Sequence, residues 1–251
     1  VTSGSVRALA RPSREGLACA LVHAGVAEPR AEALARDSAR NLAVLRRLMP
    51  SAPGRLPSWA REAPPRALLA ALLVGGWDEN GEADRACLAQ VADLPYETVT
   101  AALLPYVGDF DSPLQKIGST WRITSPRDAW ILLARYLSGS DITRFEAAAQ
   151  AVLGAADPRF HMPDQDLGMA AMRGVRAPYS GLLRHGIAQV LILLALWGDE
   201  IRTVAHAAQR ADAIVRALLR HADAQRWWSL SGDFQLLAEA SPPAFLDAIE
   251  D

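Results

Sequence analysis

Apolar and polar residues alternate at helical spacing over 13–24 and 30–48, with Leu34, Leu42, Leu45 and Leu48 on one stripe. The pattern predicts two amphipathic helices joined through Gly25 and Pro29. Pro50, Pro53, Gly54 and Pro57 then interrupt any regular structure and mark a first boundary. Beyond it, Pro64 and Pro65 open a helix through Leu68, Leu69, Leu72 and Leu73, which Gly75 and Gly76 stop. Helices are predicted over 83–92 and 95–107, separated by the tight turn Asp93-Leu94. The runs Leu114 to Ile117 and Thr120 to Thr124 flank Gly118 and Ser119 and predict a β-hairpin, the one convincing β signal in the chain.

Helix, helix, hairpin is the order of a winged helix. Ser125 as N-cap, Pro126 at the first helical position and Asp128 in the first turn start a further helix through Trp130, Leu133 and Tyr136. Ser138, Gly139 and Ser140 are expected to end it and to form a second boundary. From Asp141 onward the pattern is helical over 142–153, 164–173, 180–197, 200–221, 224–229, 233–240 and 242–250, with no strict sequence period. The expected fold is therefore mainly α. It comprises a helical hairpin over 1–56, a winged-helix domain with one small β-hairpin over 57–138, and a C-terminal helical bundle or helical-repeat array over 139–251.

Composition agrees: 51% of the 251 residues are hydrophobic and 22% charged, enough apolar material for one large or several small domains. Cys19 and Cys87 stand far apart, each within an apolar helical pattern, so neither a disulfide framework nor a zinc site is expected, and a reducing cytoplasm fits. The apolar run Ile187 to Trp197 is shorter than the roughly 20 residues a bilayer demands and reads as a buried helix, so no membrane partner is expected. No secretory signal opens the chain. Because Val1 is not an initiator Met and the last helical pattern runs to the end, the expectation is a segment excised from a longer protein.

The net charge of −2 conceals an asymmetry: residues 1–75 carry 11 Arg against 5 acids, whereas 76–251 carry 15 basic and 23 acidic residues. Lys116 is the only lysine and follows no glycine-rich turn, so there is no P-loop; nucleophile-elbow, zinc-protease, EF-hand and dinucleotide motifs are absent as well. His23, His161, His185, His206 and His221 never share a helix face, which removes the usual two-ligand metal spacing. Asp78, Glu79, Glu82 and Asp84 read as complements to a helix dipole rather than cation ligands. Trp121 and Trp130 fit the wing and the helix after it, and Trp227 with Trp228 a helix–helix contact. No catalytic, cofactor-binding or metal-binding residue is assigned, and no cofactor. A site of unfamiliar type around His161, Asp164 and Asp166 is the only enzymatic alternative.

The basic stripe Arg36, Arg40, Arg46 and Arg47 is read as a solvated helix face or, more sharply, as a contact for a nucleotide phosphate, nucleic acid or an acidic partner domain. The helix at 95–107 has no Arg or Lys and carries Glu97, while Lys116 and Arg122 are the only candidate wing contacts. With Asp109 and Asp111 just before the hairpin, such a surface repels a duplex.

The stretch Ala35-Arg36-Asp37-Ser38-Ala39-Arg40-Asn41-Leu42-Ala43-Val44-Leu45-Arg46-Arg47, followed by the winged helix and the helical array, resembles the region downstream of the nucleotide-binding core in bacterial STAND-type ATPases, signalling relatives of AAA+ proteins. Arg36 to Arg47 looks like the last helix of the lid in that family, although Ala39 and Leu42 stand where glycine and proline are common. The resemblance implies a P-loop upstream of Val1, a role in relaying ligand sensing to an ATP-dependent oligomerisation switch, and antiviral defence; it carries over no nucleotide-contacting residue. The function expected is a non-catalytic regulatory, sensor and protein-interaction segment whose partners are protein domains of the same or another chain. A DNA-binding transcription regulator using the Arg stripe and the wing is the alternative, and the oligomeric state is left open.

Overall fold

The computed structural model of the protein describes residues 12–49, 56–108, 110–170 and 172–250. It is mainly helical, with one small three-stranded antiparallel sheet among the described residues. The breaker-rich stretch expected as the first boundary lies mostly outside them, as does Asp109.

The chain begins with α1 (Arg14–His23), α2 (Glu28–Asp37) and α3 (Leu42–Leu48). The single helix expected over 30–48 is thus two helices. Ala39 and Arg40 adopt positive φ of 48° and 62°, a conformation in which Cβ crowds the backbone and from which no right-handed helix continues. Asn41 then restarts the helix by accepting hydrogen bonds from the Ala43 and Val44 N–H groups. Leucine periodicity persisted through the break because the stripe resumes on the second helix.

Next come α4 (Arg66–Val74), β1 (Gly76–Asp78), α5 (Glu82–Ala92), α6 (Tyr96–Leu103), the hairpin β2 (Leu114–Ile117) and β3 (Thr120–Ile123), and α7 (Pro126–Leu133). Strand order is β1-β3-β2, with Trp77 opposite Trp121 and Lys116 opposite Trp121. Strand β1 is an addition to the single hairpin expected, because three residues after a helix-stopping glycine pair carry no readable alternation. Its contribution is Trp77, fully buried and stacked on Trp121 with ring centroids 5.4 Å apart.

The remaining helices are α8 (Gly139–Leu153), α9 (Gly181–Trp197), α10 (Ala207–Leu219), α11 (Ala224–Leu230), α12 (Phe234–Ala240) and α13 (Pro242–Glu250). Ser138, expected to end a helix, instead starts α8: its hydroxyl accepts from Asp141 N–H, and the Asp141 carboxylate accepts from Ser138 N–H in return. The helix expected over 164–173 is a 3₁₀ segment, Asp164–Met169, within a 26-residue connection from α8 to Ser180 that Pro158, Pro163, Gly174 and Pro178 keep from regular helix. The helix expected from residue 200 starts only at Ala207, after His206 in a left-handed conformation.

One buried apolar cluster extends from Ala60 to Ala244, crossing residue 138, where the sequence reading divides the chain. Its axis is α9, which packs against α4, β1, α8, α10 and α12. A solenoid helix contacts only sequential neighbours, so the C-terminal helices form a bundle. Gly181–Glu200 is long and apolar enough to cross a membrane by length and composition, but 56% of that window is buried inside the protein. Leu183, Ile187, Val190, Leu191 and Leu194 on α9 fill the core. The helix reaches this depth because two glycines meet: a Cβ at Gly186 would lie 2.3 Å from the Val74 carbonyl oxygen, and one at Gly75 would lie 2.8 Å from Gly186 Cα. A separate, smaller cluster holds α1, α2 and α3 together through Leu17, Leu21, Leu34 and Leu45.

Candidate functional site

The break at Ala39-Arg40 sends the four stripe arginines in different directions. Arg47 on α3 turns inward, its side chain only 10% exposed, and donates to Asp111 through Nη1 and Nη2 at 2.6 and 2.9 Å. It also donates to Asp128 at the start of α7, at 2.7 Å through Nη2. Burial opposes its charge, but the hydrogen bonds it donates to the two carboxylates, with their charges, outweigh burial and raise its pKa above the usual arginine value. Burial also pushes the Asp128 carboxyl above its usual range, against the pull of Arg47. Around this node Asn41 Nδ2 donates to the Phe110 carbonyl, the Ser125 hydroxyl to the Asp37 carbonyl, Arg127 to Asp37, and Trp59 Nε1 to the Asp111 carbonyl. The N-terminal helices are thus docked on the main core through a polar joint. Arg47 is a structural residue of that joint, and Arg46 is exposed on α3.

Beside the joint lies a cleft of about 360 Å³, and there the geometry gathers charge. Arg14, Arg36 and Arg40 line it from the N-terminal helices; Arg122 on β3 and His185 on α9 line it from the main body. No carboxylate side chain is among its lining residues. Arg36 is bound through Nε to Asp37 at 3.0 Å, and Arg122 donates from Nε and Nη2 to Gln115 Oε1, which leaves Nη1 of each without a partner among the described residues. Thr124, also in the lining, is 7% exposed, and its buried hydroxyl has no hydrogen-bond partner among the described residues. Several guanidinium groups around a cleft whose lining holds no carboxylate are suited to oxyanions, which accept from them.

Of the stripe, Arg36 and Arg40 therefore meet at one site, whereas Arg46 and Arg47 do not. Sequence reasoning missed Arg14 and Arg122 as their companions because these come from separate elements; Arg122 had been read as a wing contact. The other wing candidate, Lys116, is occupied: Nζ lies 2.8 Å from Glu79 Oε2 and 4.8 Å from the centroid of Trp121. Hydrogen bonds from Lys116 and from Trp121 Nε1 hold the Glu79 carboxyl below its usual range. Of the acidic run near α5, Glu82 is exposed and Asp84 is internal. Asp84 is 1% exposed and accepts from Asp78 N–H and from the N–H and hydroxyl of Ser180, tying α5 to the start of α9.

His161 is exposed and packs edge-on against Phe160, while Asp166 is paired with Arg173 at 2.8 and 3.0 Å. No group of three metal-ligating side chains occurs among the described residues. Comparison with protein-family models, curated proteins and solved structures gives no match to this chain.

Proposed function

We propose that the protein is a non-catalytic regulatory segment in which residues 57–138 form a winged-helix unit used for packing, and the docked N-terminal helices report on an anionic partner through the arginine cleft. The observation that carries this reading is the placement of Arg14, Arg36, Arg40 and Arg122 across the boundary between two separately cored parts. An anion bound there touches both parts, so its affinity depends on their being docked; binding and docking are then linked equilibria.

Three features support the ATPase-related resemblance. The element order α4, β1, α5, α6, β2, β3 with β1 paired to β3 is that of a winged helix. The left-handed backbone at Ala39 is where that family commonly has glycine. The helical bundle follows directly. On this reading an ATPase core belongs to a longer parent protein, the oxyanion is a nucleotide phosphate or an acidic surface of a partner domain, and the setting is signalling of the antiviral-defence kind.

Duplex DNA binding is the rival, and the charge distribution weighs against it. Helix α6 exposes Glu97, Thr98 and Ala101, and no cation. The deciding experiment is titration of the protein with a fluorescent mixed-sequence DNA duplex and, separately, with inorganic pyrophosphate, at low and moderate salt. Pyrophosphate binding lost in Arg40→Ala, with no sequence-selective duplex binding, is the expected result. Sequence-selective duplex binding would overturn the reading, and ATP hydrolysis by this chain alone would overturn its non-catalytic part.

A further inference from the structure

A second cavity, of about 440 Å³, lies beside the first turns of α9, lined by the connection that precedes α9, by α11 and by residues 231–233. Its volume is in the range of small-molecule sites. The connection from α8 to α9, with its two 3₁₀ segments Pro158–His161 and Asp164–Met169, forms one side of it. The connection is held in place: Asp157 N–H donates to the Ser229 hydroxyl at 3.0 Å, Phe160 packs edge-on against Trp228 at 5.9 Å, and Ser180 is bound to buried Asp84.

The charges of the cavity are mostly spent. Arg184 crosses the floor and donates to the Val152 and Ser229 carbonyls at 2.8 and 2.9 Å, with Asp233 at 3.3 Å. Arg159 uses Nε and Nη2 on Asp157, and that pairing holds the Asp157 carboxyl below its usual range. Three lining groups have no hydrogen-bond partner among the described residues: Nη1 of Arg159, whose guanidinium stands 6.0 Å from the Trp228 ring centroid, the Tyr179 hydroxyl and the His185 ring. Burial keeps Tyr179 protonated at neutral pH. Each of the three can donate; of the two carboxylates in the lining, Asp157 is held by Arg159 through both oxygens, and Asp233 has the 3.3 Å contact with Arg184 as its one ion pair among the described residues. The rest of the wall is flat and apolar, made by Trp228, Pro178, Leu167 and Ala156.

We propose that this cavity binds a small aromatic oxyanion, a planar ring carrying a carboxylate or phosphate, with the ring against Trp228 and the anionic group facing Arg159 and Tyr179. Apart from His185, which lines both, its lining residues differ from those of the arginine cleft, and the proposal does not depend on the ATPase-related reading. It gives the C-terminal bundle a ligand of its own.

The test uses benzoate and phenyl phosphate as probes, with benzamidine as a cation of the same shape and inorganic phosphate as an oxyanion without a ring. Binding is followed by the Trp228 indole NMR signal, assigned with Trp228→Phe. Both aromatic oxyanions are expected to bind saturably with a dissociation constant of about 1 mM or tighter. Arg159→Gln combined with Tyr179→Phe should weaken them about tenfold or more, with a thermal transition that is slightly lowered but still cooperative, and Arg40→Ala should leave them unaffected. The proposal is overturned if no probe saturates the signal, if benzamidine or inorganic phosphate binds as tightly as phenyl phosphate, or if the double variant folds and binds like the parent. Because Arg40→Ala separates the two sites, failure here and failure of the arginine cleft are distinguishable.

Discussion

Leu17, Leu21, Leu34 and Leu45 form a core among three short helices, whereas the cluster around α9 draws residues from Ala60 to Ala244. The core of the N-terminal part is small, four leucines and two alanines, so its helices lean on their dock. That dock is made of charge: Arg47 faces two carboxylates, and backbone carbonyls of Asp37, Phe110 and Asp111 accept the surrounding hydrogen bonds. The main body is held by apolar packing, which is non-directional and tolerant. A polar joint is directional and depends on each partner, which suits a part that must release.

The sharpest way to break the contrast is Arg47→Ala. It leaves Asp128, whose side chain is 6% exposed, without a counter-charge. Removing one partner of a buried pair typically costs about 3–5 kcal/mol. Amide hydrogen exchange should show loss of protection confined to α1, α2 and α3 while α9 retains it. Replacing Arg47, Asp111 and Asp128 together by apolar residues of similar size should restore protection. If Arg47→Ala unfolds α9 as well, the two parts are one cooperative unit and the comparison fails.

Gly186→Ala is the corresponding lesion in the main body. The added methyl collides with the Val74 carbonyl at 2.3 Å, and backbone must move. Overpacking of this kind costs about 1–3 kcal/mol, and it should lower the main thermal transition by calorimetry. A fall in α1–α3 protection alone would contradict the placement of the core axis.

The two parts also differed in how much their sequence disclosed. Helices around α4, α5, α7 and α9 were legible because apolar residues recur at helical spacing and Pro, Gly and Ser mark their ends. The break in the N-terminal part was not, since Ala39 and Arg40 are ordinary helix formers and only tertiary contacts, such as Asn41 to the Phe110 carbonyl, hold them left-handed. One missed turn misdirected a site: Arg47 falls on the same sequence stripe as Arg36 and Arg40, but its side chain is engaged by Asp111 and Asp128 and does not line their cleft. Arg14 and Arg122 carried no local signal, because what joins them to Arg40 is a docking geometry.

Ala39→Gly sharpens this point. Glycine takes φ of +48° without Cβ strain, and a left-handed non-glycine residue costs roughly 1–2 kcal/mol. Set against the larger unfolded-state entropy of glycine, the variant should gain about 0.5–1 kcal/mol, read as slower hydrogen exchange in α3 and unchanged exchange in α9. Loss of protection in α3 would mean that the turn is not left-handed in solution.

The smallest effect expected is acid response in the main body. Glu79 is held below the usual carboxylate range by the hydrogen bonds from Lys116 and Trp121, and Asp157 by Arg159. A carboxyl whose folded pKa is depressed contributes stability above its unfolded pKa, near 4, and that contribution fades as pH falls through the lower folded value. From neutral pH down to about 5 neither pair should change. Below about 4, the Trp121 indole signal should shift as Glu79 takes a proton, and Phe160 should loosen from Trp228 as Asp157 releases Arg159. Glu79→Gln should abolish the first response and leave the second. If both indole signals shift together in that variant, the wing and the 154–180 connection are coupled through α9, and the main body transmits change rather than merely carrying the part that releases.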